Sequence, residues 1–177
     1  WTQVAELSLR AHGFDVEEIP EQDIQNESVS STKIRTALLQ GNIQRANAYL
    51  DHFYIVKGIP EFLAQRSSDF KRNIFNLIIE ENVKLIPPDG VYAISIACER
   101  WNTKGLLSIS NWGLRNNFLS DDVQIEFHPL EAGCPSDKKE ITISFHKRIR
   151  DASERLDADF VRVQLEKDIR VVEELIY

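Results

Sequence analysis

Two groups of residues in this chain carry types and spacings that could do chemistry. The first is the run Ser30-Ser31-Thr32-Lys33-Ile34-Arg35. Small hydroxyl residues directly ahead of a helical apolar stripe mark a helix N-terminus, where unpaired N–H groups and the positive end of the helix dipole attract anions. Lys33 and Arg35 add cationic donors to the same turn. A plain hydroxyl cap is the commoner meaning of such a cluster. The second is Glu126. Val123, Ile125 and Phe127 alternate with Gln124, Glu126 and His128, which puts Glu126 on the polar face of a strand, where a carboxylate can accept a proton from a bound hydroxyl. The ordinary explanation of that pattern is a solvated glutamate, and His128 on the same face is expected to be a surface histidine. Arg66 and Lys71 lie in a glycine-free stretch, 62–71, and Arg72 follows it; together they are expected to form a solvated basic loop.

Positioning these residues requires both helices and a sheet. Val4, Leu7 and Ala11 share a helical face, Gly13 can end that helix, and Phe14, Val16 and Ile19 follow at strand spacing. After the Ser/Thr cluster, Ile34, Leu38 and Leu39 supply an apolar stripe that Gly41 terminates. A second helix, about 43–50, aligns Ile43, Ala46, Asn47 and Leu50, and residues 51–58 are expected to connect to a different architecture. Strand patterning dominates from Tyr54 to residue 147. Val91–Ala97 and Lys104–Ile109 are rich in β-branched and apolar residues, with the turn Pro87-Pro88-Asp89-Gly90 before the first. The alternations around Ile125 and around Ile141, Ile143 and Phe145, separated by a polar loop, predict a hairpin in an antiparallel sheet or barrel. Val161, Leu165, Ile169, Val172 and Ile176 predict a terminal helix laid against that sheet.

Composition narrows the partners. Of 177 residues, 42% are hydrophobic, ordinary for a globular domain, and no apolar run is long enough to cross a bilayer. The net charge of −7, from 21 basic and 28 acidic residues, speaks against sequence-independent nucleic-acid binding, which needs a basic footprint. Cys98 and Cys134 are far apart and form no CxxC pair; free thiols in a reducing compartment make the cytoplasm the expected location. A first residue of Trp1 and no methionine predict a piece of a longer protein.

Val29-Ser-Ser-Thr-Lys-Ile-Arg35, followed by Ala37-Leu-Leu-Gln-Gly-Asn-Ile43 and Ala46-Asn-Ala-Tyr-Leu50, resembles the end of the adenylyltransferase domain of bifunctional riboflavin kinase/FAD synthetases. Lys84-Leu-Ile-Pro-Pro-Asp-Gly-Val-Tyr92 is similar to the KLIPxxGVY segment of their kinase barrel. Asn111, Gly113 and Arg115 echo an IGxRPT-type segment, Val123-Gln-Ile-Glu126 the strand with the catalytic glutamate, and His146-Lys-Arg-Ile-Arg-Asp151 the turn before the last helix. The resemblance implies an α+β chain. Residues 1–52 would be the helical tail of an α/β nucleotidylyltransferase domain, and 53–177 an antiparallel Greek-key β-barrel with a C-terminal helix. It implies Mg²⁺, ATP and riboflavin or FMN as cofactor and substrates, and an upstream adenylyltransferase domain as partner. By the same resemblance Ser30, Ser31, Thr32, Lys33, Arg35 and Asn76 would contact the nucleotide, Arg115 the flavin, and Glu126 would be the general base for the ribityl 5′-hydroxyl. The HxGH signature of the adenylyltransferase is absent, since none of His12, His52, His128 and His146 forms it, so this chain alone is not expected to make FAD.

The family's G(F/Y)PTAN segment falls, counting without gaps from Gly58, on Asn73-Ile74-Phe75-Asn76. Asn76 is kept, and Ile74 stands where a threonine hydroxyl faces the metal. Mg²⁺ takes oxygen ligands, and close backbone approach to phosphate commonly uses glycine. The family's DLYG turn is replaced by Pro135-Ser-Asp-Lys138. These departures predict kinase turnover that is absent or severely reduced. The alternative is a non-catalytic flavin- or nucleotide-binding or structural module. A third option is a partner surface on the acidic terminal helix, where Glu166, Asp168, Glu173 and Glu174 cluster.

Overall fold

The computed structural model describes residues 23–24, 27–65, 73–79, 84–99, 101–110, 124–132, 139–152 and 158–176. The predicted opening helix and strand lie outside the described residues. So do Arg115, the basic cluster Arg66, Lys71 and Arg72, and the segment 135–138.

A two-residue ladder, β1 (Asp23–Ile24) with β2 (Glu27–Ser28), precedes two helices. Helix α1 spans Ser31–Leu39 and begins on Ser30, whose side-chain oxygen accepts the Lys33 N–H at 3.3 Å. It ends on Gly41 at φ 71°, with the Gly41 and Asn42 N–H groups donating to the Leu38 and Ala37 carbonyls. That is a Schellman end, which asks for a residue tolerant of the left-handed region. Ala37 and Leu38 are buried, whereas Leu39, expected in the stripe, is 59% exposed. Helix α2 (Ile43–Leu50) buries Ile43, Ala46 and Tyr49. Its Asn47 fixes it to the sheet: the amide N–H₂ donates to the Phe145 carbonyl, and the amide oxygen accepts the Tyr54 N–H, both at 2.8 Å.

Among the described residues six strands close into an antiparallel barrel: β3 (Tyr54–Gln65), β4 (Asn73–Ile78), β5 (Gly90–Cys98), β6 (Trp101–Ser110), β7 (Gln124–Pro129) and β8 (Ile141–Arg150). Their order around the barrel is β3-β4-β7-β6-β5-β8. The passages from β4 to β5 and from β7 to β8 each skip two strands, as in a Greek key. Alternate residues fill the interior, among them Val56, Phe75, Leu77, Tyr92, Ile94, Ile96, Leu107, Ile109, Ile125, Phe127, Ile141, Ile143 and Phe145. Phe75 stacks on Phe127 at 5.3 Å, and Tyr92 meets Phe145 edge-on at 5.5 Å. Ala37, Leu38, Ile43, Ala46 and Tyr49 belong to the same apolar cluster, so the helix pair packs continuously with the barrel.

Helix α3 (Ala158–Leu175) lies on the outer face of β5 and β6, burying Ile169, Val172 and Ile176 against Val91, Ala93 and Leu106. Its Asp168, 1% exposed, accepts hydrogen bonds from Arg150 Nε and Nη2 and from Gln164 Nε2 at 2.8–3.2 Å. No described helix is long and apolar enough to cross a membrane.

Four expectations are corrected. Strands β7 and β8 do not form a hairpin: β7 pairs with β4 and β6, and β8 closes the barrel between β3 and β5. The connector ends at Phe53, because Tyr54 to Gly58 already pair with β8. Residues 62–65 are strand rather than loop, paired with β4. The acidic surface on α3 loses Asp168, which is buried beneath the helix and ion-paired.

Candidate functional site

The two residues the sequence singles out in the barrel meet in the structure. Asn76 on β4 and Glu126 on β7 are direct partners in the antiparallel ladder, next to the Phe75–Phe127 pair. Side chains alternate along a strand, so the stacked phenylalanines fill the interior while Asn76 and Glu126 leave on the outer face. Both are half-buried. The same row continues to Glu61 on β3 beyond Asn76, and to Ser108 on β6 beyond Glu126. Cross-strand partners on one face hold their Cβ atoms about 5 Å apart. An amide, a carboxylate and a hydroxyl therefore stand side by side across three strands. A carboxylate here can accept a proton from a bound hydroxyl, and the amide can hold that hydroxyl by donating or accepting.

Ile74 occupies the same outer face two residues before Asn76, and it is 6% exposed. Its side chain is a buried hydrocarbon outside the barrel cluster, where the resemblance calls for a hydroxyl aimed at magnesium. The face offers oxygens from Asn76 and Glu126 but none from position 74, and so does not fit the expected metal-ligand set. Among the described residues no group of three or more His, Cys, Asp and Glu gathers as a metal site. His128, expected at the surface, is only 9% exposed, beside Leu106, its ladder partner under α3.

The candidate phosphate turn lies elsewhere. Ser30 serves as the cap of α1, and the Lys33 ammonium donates to the Ser28 carbonyl at 2.7 Å. Ser31, Thr32 and Arg35 face solvent. Helix α1 packs on α2, and α2 on β3 and β8, so the structure does not bring this turn together with the Asn76–Glu126 pair on β4 and β7.

Sequence reasoning missed the polar residues that hold the barrel's helix-covered end. Residues 84–89 are held there through their carbonyls: the Tyr54 hydroxyl donates to Leu85 O at 2.6 Å, the Tyr92 hydroxyl to Pro88 O, and Arg148 to Asp89 O. Burial raises the Tyr92 hydroxyl to about 12, opposed by the neighbouring Arg148 guanidinium, and burial raises Tyr54 as well against its bond to Leu85. On β8 the His146 Nε2 lies 2.9 Å from Ser95 Oγ with the Phe53 ring 4.1 Å away, and burial lowers its pKa. Of these, Tyr92, His146 and Arg148 lie in segments that carry the family resemblance, which gave none of them a role of its own.

Fold and face together define a closed Greek-key barrel that presents a carboxylate and an amide side by side on its outer surface. The chain belongs to the riboflavin kinase family, whose flavokinase model matches residues 51–176. A bifunctional riboflavin kinase/FMN adenylyltransferase of Bacillus subtilis is 29% identical over 170 residues, covering 94% of this chain and 52% of its own length. That of Listeria monocytogenes is 27% identical over 168 residues, with the same coverage of 94% and 52%. The chain thus spans about half the length of the curated relatives it matches. Among solved structures, one titled a macrolide-efflux protein from Streptococcus pneumoniae superposes with a TM-score of 0.75 at 22% identity, over 88% of this chain and 50% of that one, and shares the fold.

Proposed function

We propose that this chain is a flavin-binding member of the riboflavin kinase family in which phosphoryl transfer from ATP to riboflavin is absent or severely reduced. The observation that supports it is the outer face of β4 and β7. The pair Asn76–Glu126 is held in ladder register, while its neighbour Ile74 is a buried hydrocarbon. Glu126 is the residue that would take the proton from the terminal ribityl hydroxyl, and Asn76 the residue that would orient it. Phosphoryl transfer relies chiefly on positioning and on neutralising the phosphate charge, and the first of these is better provided here than the second. The residues Ser30, Ser31, Thr32, Lys33 and Arg35 are assigned to nucleotide contact with an upstream adenylyltransferase domain, 1–52 being its tail and 53–177 the kinase-like barrel. Arg115 is assigned to the flavin.

Incubating the chain with riboflavin, ATP and magnesium and separating the flavins by chromatography tests the reading. Little or no FMN is expected, and turnover at an ordinary kinase rate overturns it. Quenching of riboflavin fluorescence is expected on titration with the chain. A chain that quenches nothing points instead to a purely structural module, which the continuous packing of helix pair and barrel would suit.

A further inference from the structure

We propose that Ser108 is a third binding residue of this face, its hydroxyl engaging the polyol chain of the flavin beside Glu126; this rests on the flavin-binding reading above. Leu107 and Ile109 point into the barrel, so Ser108 between them points out, and the ladder pairs it with Glu126 as it pairs Asn76 on the other side. Ser108 is half-buried, and its own partner on β5 is Val91, which lies under α3. The row Asn76–Glu126–Ser108 is thus bounded on the β5 side by a covered apolar patch, so a ligand on the row would run from β6 towards β4.

Chemistry fixes the class of ligand. Strands are spaced about 4.8 Å apart, so the row spans roughly 10 Å from Asn76 to Ser108. A chain bearing several hydroxyls matches that length better than a single polar group does. Amide and hydroxyl each donate and accept, and a carboxylate accepts, which together suit hydroxyls that do both. A phosphate group, an acceptor only, would meet the Glu126 carboxylate as a like charge. Among the described residues no hydrogen bond or ion pair engages the side chains of Asn76, Glu126 or Ser108, so their polar atoms are open to such a chain.

The test compares riboflavin with lumiflavin, the same ring system without the ribityl chain, by fluorescence quenching on the full chain. Ser108→Ala is expected to weaken riboflavin roughly fivefold, the effect of one neutral hydrogen bond, and to leave lumiflavin unchanged. Ser108→Thr, which keeps the hydroxyl on a strand-favouring residue, is expected to restore riboflavin affinity, with circular dichroism confirming that both variants fold. Equal loss for both flavins, or no loss for either, overturns the assignment while leaving the flavin-binding reading intact. Absence of binding by the unmodified chain overturns both.

Discussion

Asn76 and Glu126 are ladder partners on adjacent antiparallel strands, one register step from the stacked Phe75–Phe127 pair. The aromatic pair inside the barrel therefore sets the register of the polar pair outside it. A one-residue slip would turn both polar side chains inward. If they grip one ligand hydroxyl together, their contributions are coupled. Asn76→Ala and Glu126→Ala are each expected to weaken riboflavin roughly five- to tenfold, and the double variant by less than the product of the single losses. Fluorescence titration of the three variants measures the coupling, and strictly multiplicative losses would show that the two side chains act apart.

Restoring the missing hydroxyl by Ile74→Thr is expected to yield no FMN. Position 74 is buried, so the new hydroxyl would be desolvated and an apolar group lost, lowering stability by about 1–2 kcal/mol. The stretch 62–71 also supplies no glycine for a close phosphate approach. Urea unfolding and a chromatographic assay of the same variant read both effects. Turnover rescued by this single change would place the whole defect at one ethyl-for-hydroxyl exchange.

What the sequence revealed followed how local each signal is. Strands β5 and β6 were legible as runs rich in apolar and β-branched residues, β5 directly after a strong turn signal, and the stripe of α3 because its apolar residues recur at helical spacing. Strand β4 was not: Ile74 and Phe75 are consecutive and both buried, on opposite faces, which erases the alternation. Which strands pair is a long-range property, so the neighbours of β8 could not be read from the polar loop before it. Glu126 and Asn76 were both singled out only through the family resemblance, since the regular alternation around Glu126 by itself describes a solvated strand face. His128 was misjudged because its burial depends on the strand and helix beside it. Asp168 resembled any other acid on an exposed helical face until the fold set Arg150 beneath it.

That ion pair carries the next expectation. Asp168 is almost fully buried while Arg150 is partly exposed, so removing the carboxylate leaves a guanidinium half-sequestered without its partner. Asp168→Ala is expected to destabilise the chain by about 3 kcal/mol. Because the pair ties α3 to β8, amide exchange in α3 is expected to accelerate ahead of the barrel strands. An unchanged urea midpoint would show that apolar packing alone holds the helix.

Acid is expected to weaken the fold through His146. Burial holds its pKa below the ordinary histidine value, so the unfolded chain binds the proton more readily than the folded one. Stability is then full above about pH 6.5 and falls as pH drops from there towards the lower folded value. His146→Gln, which can keep a hydrogen bond to Ser95, should flatten the acid limb of a plot of urea midpoint against pH. His52→Gln, at an exposed position, serves as the control. An acid limb that persists in His146→Gln would assign the effect to the carboxylates.

Gly41 and Arg148 allow the backbone and packing effects at the helix–barrel seam to be separated. A Cβ on Gly41 would stand 2.8 Å from Arg148 Cδ, and the residue also sits at φ 71°, so Gly41→Ala meets a contact and a backbone penalty together. The backbone part, about 1 kcal/mol, belongs to the left-handed region and is indifferent to what surrounds it. The contact part exists only while the arginine stem is there, and a flexible stem can give way partly. In a double-mutant cycle Gly41→Ala is expected to cost about 2 kcal/mol in the native background and about 1 kcal/mol beside Arg148→Ala. Urea unfolding of the four proteins measures it. Equal losses in both backgrounds would mean that Arg148 moves aside freely and that Gly41 is needed only for its backbone conformation.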